Sequence, residues 1–166
     1  MTLVERARVF ATAAHAAVGQ TRKYTGEPYI VHPIEVASIV EQSGGTEAMV
    51  AAALLHDVLE DTAVTVDVLE EQFGSDVADL VLWLTDVSTP SDGNRSTRKS
   101  LDRQHIAAAP AEAQTIKVAD LISNTKTIVA HDPNFAKVYL EEKRLLLEVL
   151  TRADSKLLTV ARQQVG

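Results

Sequence analysis

Val50-Ala51-Ala52-Ala53-Leu54-Leu55-His56-Asp57-Val58-Leu59-Glu60-Asp61 runs from six apolar residues straight into an adjacent imidazole and carboxylate, then into a second acidic pair. A helix apolar nearly all round belongs at the centre of a fold. Gly44-Gly45 breaks the chain ahead of it and Thr46 supplies a capping hydroxyl, so the spacing predicts one helix over residues 47–60. Buried on such a helix, His56 and Asp57 lose their hydration and need a partner. They stand about 100° apart, so both can lean toward one ion lying between their directions. Glu60 falls one turn beyond His56, and Asp61 one turn beyond Asp57.

Two further segments offer ligands of the same kind: His32 in Tyr29-Ile30-Val31-His32-Pro33 and Asp120 in Ile116-Lys117-Val118-Ala119-Asp120. His32, His56, Asp57 and Asp120 together supply two nitrogens and two oxygens, with positions open to water and substrate. Ligation without sulfur suits Mn²⁺, Fe²⁺ or Zn²⁺, and an incomplete octahedral shell favours Mn²⁺. Glu60 and Asp61 are then placed for water or proton handling. Each residue also has a plainer reading. His32 fits a satisfied histidine before proline, Asp120 a helix-face acid paired with Lys117 or Lys126, and Glu60-Asp61 a solvated helix end, although acids there oppose the macrodipole. Their joint occurrence on an apolar framework favours the metal, because each would otherwise need a partner of its own. His15, His105 and His131 lie outside this set and read as surface or partly packed residues.

Helical periodicity dominates the rest of the chain, and the expectation is an all-α single domain over residues 1–166. Thr2 caps a first helix whose apolar positions Leu3, Ala7, Phe10, Ala14 and Ala17 recur at helical spacing and which ends near Gly19. Residues 20–28 read as a loop, and Pro33 suits the first turn of a helix over 33–42. Thr65 and Ser75 are expected to cap the next two helices, with Gly74 between them and Val77, Leu80, Val81 and Leu84 as one apolar stripe. Trp83 reads as part of that core. Residues 88–94 read as a mobile loop feeding the basic stretch 95–99. A helix over about 113–129 sets Asp120 and Asn124 one turn apart, a turn follows at 132–134, and residues 135–164 form two helices meeting near Ala153-Asp154.

Composition narrows the function. With no cysteine, thiolate metal sites and cysteine nucleophiles are excluded. A net charge of −7 argues against binding along a nucleic-acid backbone. The basic islands Arg22-Lys23 and Arg95-Ser96-Thr97-Arg98-Lys99 instead suit a small polyanion such as a nucleotide. Residues 1–6 lack a basic and apolar leader pattern, and no apolar run reaches membrane-spanning length, so a cytoplasmic protein without a membrane partner is expected. Apolar surface on the last two helices suits a homodimer and internal packing equally.

The strings Arg22-Lys23-Tyr24-Thr25-Gly26-Glu27-Pro28-Tyr29-Ile30-Val31-His32-Pro33, Ala53-Leu54-Leu55-His56-Asp57-Val58-Leu59-Glu60-Asp61-Thr62 and Lys117-Val118-Ala119-Asp120 resemble the hydrolase domain of the Rel/Spo alarmone synthetase-hydrolases, within the HD phosphohydrolase superfamily. The resemblance spans nearly the whole chain, with the motifs in order. It implies a free-standing small alarmone hydrolase with an all-helical HD fold, holding one Mn²⁺ through His32, His56, Asp57 and Asp120. The implied reaction is hydrolysis of the 3′-pyrophosphate of (p)ppGpp to pyrophosphate and GDP or GTP. Glu60 and Asp61 match the family's water-activating acid pair, and Arg22, Lys23, Lys99, Asn124 and Tyr139 match substrate contacts. After Asp120 the family commonly carries a basic residue, where this chain has Leu121. Two rival readings follow: an HD phosphohydrolase of another nucleotide, such as an NADPH 2′-phosphatase or a nucleoside polyphosphate hydrolase, and a catalytically silent alarmone-binding module.

Overall fold

Thr2 opens the first helix with a reciprocal cap: its hydroxyl accepts from the Glu5 amide, and the Glu5 carboxylate accepts from the Thr2 amide. The computed structural model describes residues 1–166 and is helical, with one isolated bridge between Thr21 and Pro28. The all-α expectation holds. Two compact units divide the chain, Met1–Thr85 and Asp86–Gly166. No helix is long and apolar enough to cross a membrane.

In the first unit, α1 (Leu3–Ala17) turns Ala7, Ala11 and His15 inward. Next come α2 (Val31–Gln42), α3 (Glu47–Leu55), the single turn α4 (Val58–Asp61), α5 (Val66–Phe73) and α6 (Ser75–Leu84). Every residue from Met49 to Leu55 is buried, and α3 packs against α1, α2 and α6. It is the centre of the unit, as an all-round apolar helix must be. Phe73 closes α5 onto α1 by meeting Phe10 edge-on at 5.3 Å. Val77, Leu80, Val81 and Leu84 form the buried stripe of α6, and Trp83 is half-buried.

Three local expectations are corrected here. The helix foreseen over residues 47–60 is two helices, broken at His56-Asp57. His56 Nδ1 donates to the Ala53 carbonyl at 2.6 Å, taking the oxygen that the Asp57 amide would use in a continuing helix. His32 lies inside the first turn of α2, which starts at Val31; Pro33 is tolerated there because its missing N–H has no intrahelical acceptor. Thr46 and Thr65 cap as foreseen, but Ser75 does not. Gly74, at φ +90°, ends α5 and starts α6, a conformation a side chain would strain.

In the second unit, a 3₁₀ turn at Pro90–Asp92 precedes α7 (Arg95–Ala107), α8 (Ala111–His131), α9 (Pro133–Val149) and α10 (Ser155–Val165). The long α8 packs against the other three and buries residues on several sides. Residues 88–94, read from the sequence as a loop, hold the 3₁₀ turn, and the start of the segment is bonded to α7. Asp102 Oδ1 accepts from the Val87 and Ser88 amides at 3.0 Å each, and its Oδ2 accepts from the Ser88 hydroxyl at 2.7 Å. Asn94 caps α7 by accepting from the Thr97 amide at 2.9 Å, so the basic stretch from Arg95 begins a helix. Asp132 caps α9 and Asp154 caps α10, so the foreseen turn at 132–134 is a helix start.

Candidate active site

The break after α3 brings Asp57 toward the side chains of His56 and of His32 on α2. One ligand-type atom from each of His32, His56 and Asp57 lies within 4.8 Å of the others. The imidazoles are 2% and 3% exposed. His56 Nε2 is 3.0 Å from Asp57 Oδ2, and His32 Nε2 is 4.0 Å from the same oxygen. A carbonyl only accepts, so Nδ1 of His56 carries the proton it gives to Ala53, and in the neutral ring Nε2 presents a lone pair. A lone pair set against a carboxylate oxygen calls for a positive charge between them. Two imidazole nitrogens and a carboxylate are donors that divalent first-row metals accept, so this group fits a metal ion. Tyr29, which sequence reasoning passed over, donates its hydroxyl to Asp57 Oδ2 at 2.5 Å and orients that carboxylate.

Glu60 and Asp61 lie on α4, both exposed. Protein still crowds the Asp61 carboxyl: burial pushes its pKa above the ordinary carboxylate value, the hydrogen bond from Gln20 opposes that, and the charge of Asp57 adds to it. Gln20 Nε2 donates to Asp61 Oδ2 at 3.1 Å, and Gln20 Oε1 lies 2.8 Å from His15 Nδ1. His15, read as a surface or partly packed residue, is only 1% exposed, because the inward face of α1 extends through its last turn. Arg22 and Lys23 sit between α1 and α2, where the Arg22 amide donates to the Glu27 carbonyl and closes a turn. Lys23 is exposed, with its ammonium 5.3 Å from the Tyr24 ring centre.

The remaining expected site residues belong to the second unit. Asp120 is buried on α8, accepting from Asn124 Nδ2 at 3.1 Å and pairing with Lys117 Nζ at 3.2 Å. The Lys117 partner foreseen as the plainer reading of Asp120 is thus present. Burial works to lower the Lys117 pKa, but Asp120 and Asp86 outweigh it and hold the ammonium charged. The Asp86 carboxyl is pushed up by burial against the pull of Lys117. Lys99 Nζ lies 3.9 Å from Glu142, which also binds Arg95. Tyr139 turns its hydroxyl onto α8, toward Leu121 O at 3.3 Å, and burial pushes its pKa up to about 12. Tyr29 and Gln20 escaped the sequence reading because their roles depend on a loop conformation; the dense polar string 20–29 was the available signal.

The HD domain family model matches residues 7–143. A probable guanosine-3′,5′-bis(diphosphate) 3′-pyrophosphohydrolase of Synechocystis sp. is 37% identical over 134 residues, covering 79% of this chain and 17% of that protein. The guanosine-3′,5′-bis(diphosphate) 3′-pyrophosphohydrolase of Aquifex aeolicus is 36% identical over 143 residues, 85% of this chain and 19% of that one. A GTP pyrophosphokinase of Myxococcus xanthus is 37% identical over 134 residues, with 77% and 17% covered. The chain spans about a fifth of the length of these curated relatives. Among solved structures, a metazoan ortholog of SpoT that hydrolyses ppGpp matches with a TM-score of 0.87 and 26% identity, over 99% of this chain and 94% of that one.

Proposed function

Because this chain belongs to the HD-domain family, we propose that it is a metal-dependent hydrolase that removes the 3′-pyrophosphate of guanosine alarmones, ppGpp or pppGpp, to leave GDP or GTP. The observation that carries the reading is the match to a ppGpp-hydrolysing SpoT ortholog along nearly the full length of both chains. The longer relatives include proteins named for pyrophosphate transfer to GTP, but a His–His–Asp group suits the hydrolytic direction. We read residues 1–166 as one HD domain, since the family match runs through both units.

His32, His56 and Asp57 would hold one Mn²⁺, with Asp120 added as fourth ligand on the strength of the resemblance. Bound there, the ion supplies Lewis-acid activation of water and offsets phosphoryl charge. Glu60 and Asp61 take the proton of the attacking water as its oxygen bonds to the phosphorus next to the 3′ oxygen. The bond from that phosphorus to the 3′ oxygen breaks, pyrophosphate departs, and the nucleotide keeps a 3′ hydroxyl after gaining a proton. Arg22, Lys23 and Lys99 balance phosphate charge, and Asn124 and Tyr139 contact the substrate. The acid pair disfavours a silent binding module, which has no use for water activation.

A second reading draws on Leu121, which is 3% exposed and stands where the resemblance implies a basic residue. On that reading the same chemistry acts on another nucleotide, NADPH or a nucleoside polyphosphate. The test is product analysis of purified protein with ppGpp, with and without Mn²⁺, resolving pyrophosphate from orthophosphate. Mn²⁺-dependent release of GDP and pyrophosphate is expected. No turnover by metal-loaded protein, with hydrolysis of NADPH in the same panel, favours the second reading.

A further inference from the structure

We propose that His15 and Gln20 are positioning residues that set the orientation of the Asp61 carboxylate, a role that rests on the reading of Asp61 as a water-handling acid. Gln20 is fixed first through its backbone. Gly19, at φ +65°, turns the chain at the end of α1, so that the Gln20 amide donates to the His15 carbonyl at 3.2 Å. The Gln20 carbonyl accepts from the Tyr29 amide at 3.2 Å. With the main chain held on both sides, the side chain reaches between His15 Nδ1 and Asp61 Oδ2.

The chemistry of that bridge has one direction. An ionised carboxylate only accepts, so the Gln20 amide nitrogen must face Asp61 and the amide oxygen must face His15. The oxygen in turn requires a proton on His15 Nδ1. A flipped amide would set two oxygens against each other at Asp61, and the His15 proton prevents this. His15 pays for the role with a buried Nε2 that has no hydrogen-bond partner, while its ring packs 4.7 Å from that of Tyr29. A residue chosen for packing alone would not bring such an atom into the core. The bridge occupies Asp61 Oδ2 and leaves proton acceptance to Oδ1. The titratable groups around this carboxyl are Asp57, His15 and His56, and Gln20 is its neutral hydrogen-bond partner. Tyr29 joins the two carboxylates of the site, with its amide on Gln20 and its hydroxyl on Asp57.

The test compares Gln20→Met, His15→Phe, Asp61→Asn and the double variant Gln20→Met/Asp61→Asn in the full chain. Gln20→Met is expected to lower kcat roughly tenfold with KM for ppGpp and bound Mn²⁺ unchanged, because geometry rather than binding is lost. His15→Phe, which keeps an aromatic ring against Tyr29, is expected to lower kcat in the same direction by a smaller factor. On the Asp61→Asn background, Gln20→Met is expected to add nothing. An unchanged kcat in Gln20→Met, or a multiplicative loss in the double variant, would overturn the proposal. A parent protein that turns over no alarmone, or an Asp61→Asn variant with full turnover, instead removes the functional reading and with it the role of the bridge.

Discussion

Lys143 in the second unit is 0% exposed, while His32 and His56 in the first are 2% and 3% exposed, yet these buried polar groups end differently. Lys143 Nζ donates to Thr125 Oγ1 at 2.8 Å and to Gln164 Oε1 at 2.6 Å. Gln164 Nε2 passes a hydrogen bond on to Ile122 O, and the Thr125 hydroxyl donates to Leu121 O, so the network closes on the backbone of α8. In the first unit His56 Nδ1 gives its proton to Ala53, and in the neutral ring what faces Asp57 at 3.0 Å is a nitrogen acceptor. A buried network that closes on itself joins helices; one that converges acceptors asks for a cation.

The sharpest way to break that contrast is Asp57→Ala. The protein is expected to lose bound Mn²⁺ and at least about a thousandfold in pyrophosphate release together, measured by metal analysis and product chromatography. Glu60→Ala separates the two properties: metal content stays, and kcat falls by roughly 10²- to 10⁴-fold, the range for a lost general base. Tyr29→Phe removes only the bond to Asp57 and is expected to weaken Mn²⁺ binding about ten- to a hundredfold, read by calorimetry.

Lys143→Met tests the other side. Gln164 and Thr125 lose a buried donor, so stability falls by about 1–3 kcal/mol, seen as a lower urea midpoint, while turnover at moderate temperature survives. Burial lowers the Lys143 pKa from 10.5 to about 8. Between those values the unfolded chain binds more protons than the folded one, so stability contributed by this group rises from about pH 8 to 10.5 and is flat below. Urea midpoints of parent and Lys143→Met across that window are expected to diverge accordingly.

What the sequence discloses and what it hides follow the same division between local and converging interactions. Thr2, Thr46 and Thr65 were legible as caps because a cap needs only a hydroxyl and an amide three positions on. The central place of α3 was legible because no face of it is polar. The break at His56 was not, because it depends on a side chain competing for the Ala53 carbonyl against an amide that the helical pattern favours. Ser75 looked like a cap by type, but the neighbouring Gly74 takes the position through a φ that the sequence does not fix. His32, His56 and Asp57 were found together because apolar surroundings make each conspicuous. Gln20 and Tyr29 stand among other polar residues, and only the folded loop aims them at Asp61 and Asp57.

The most direct test of the central claim is anomalous diffraction from crystals grown with Mn²⁺. The account predicts one strong manganese peak touching His32, His56 and Asp57, absent from crystals of Asp57→Ala. A manganese peak elsewhere with none at these three residues, in protein that still hydrolyses ppGpp, would contradict it.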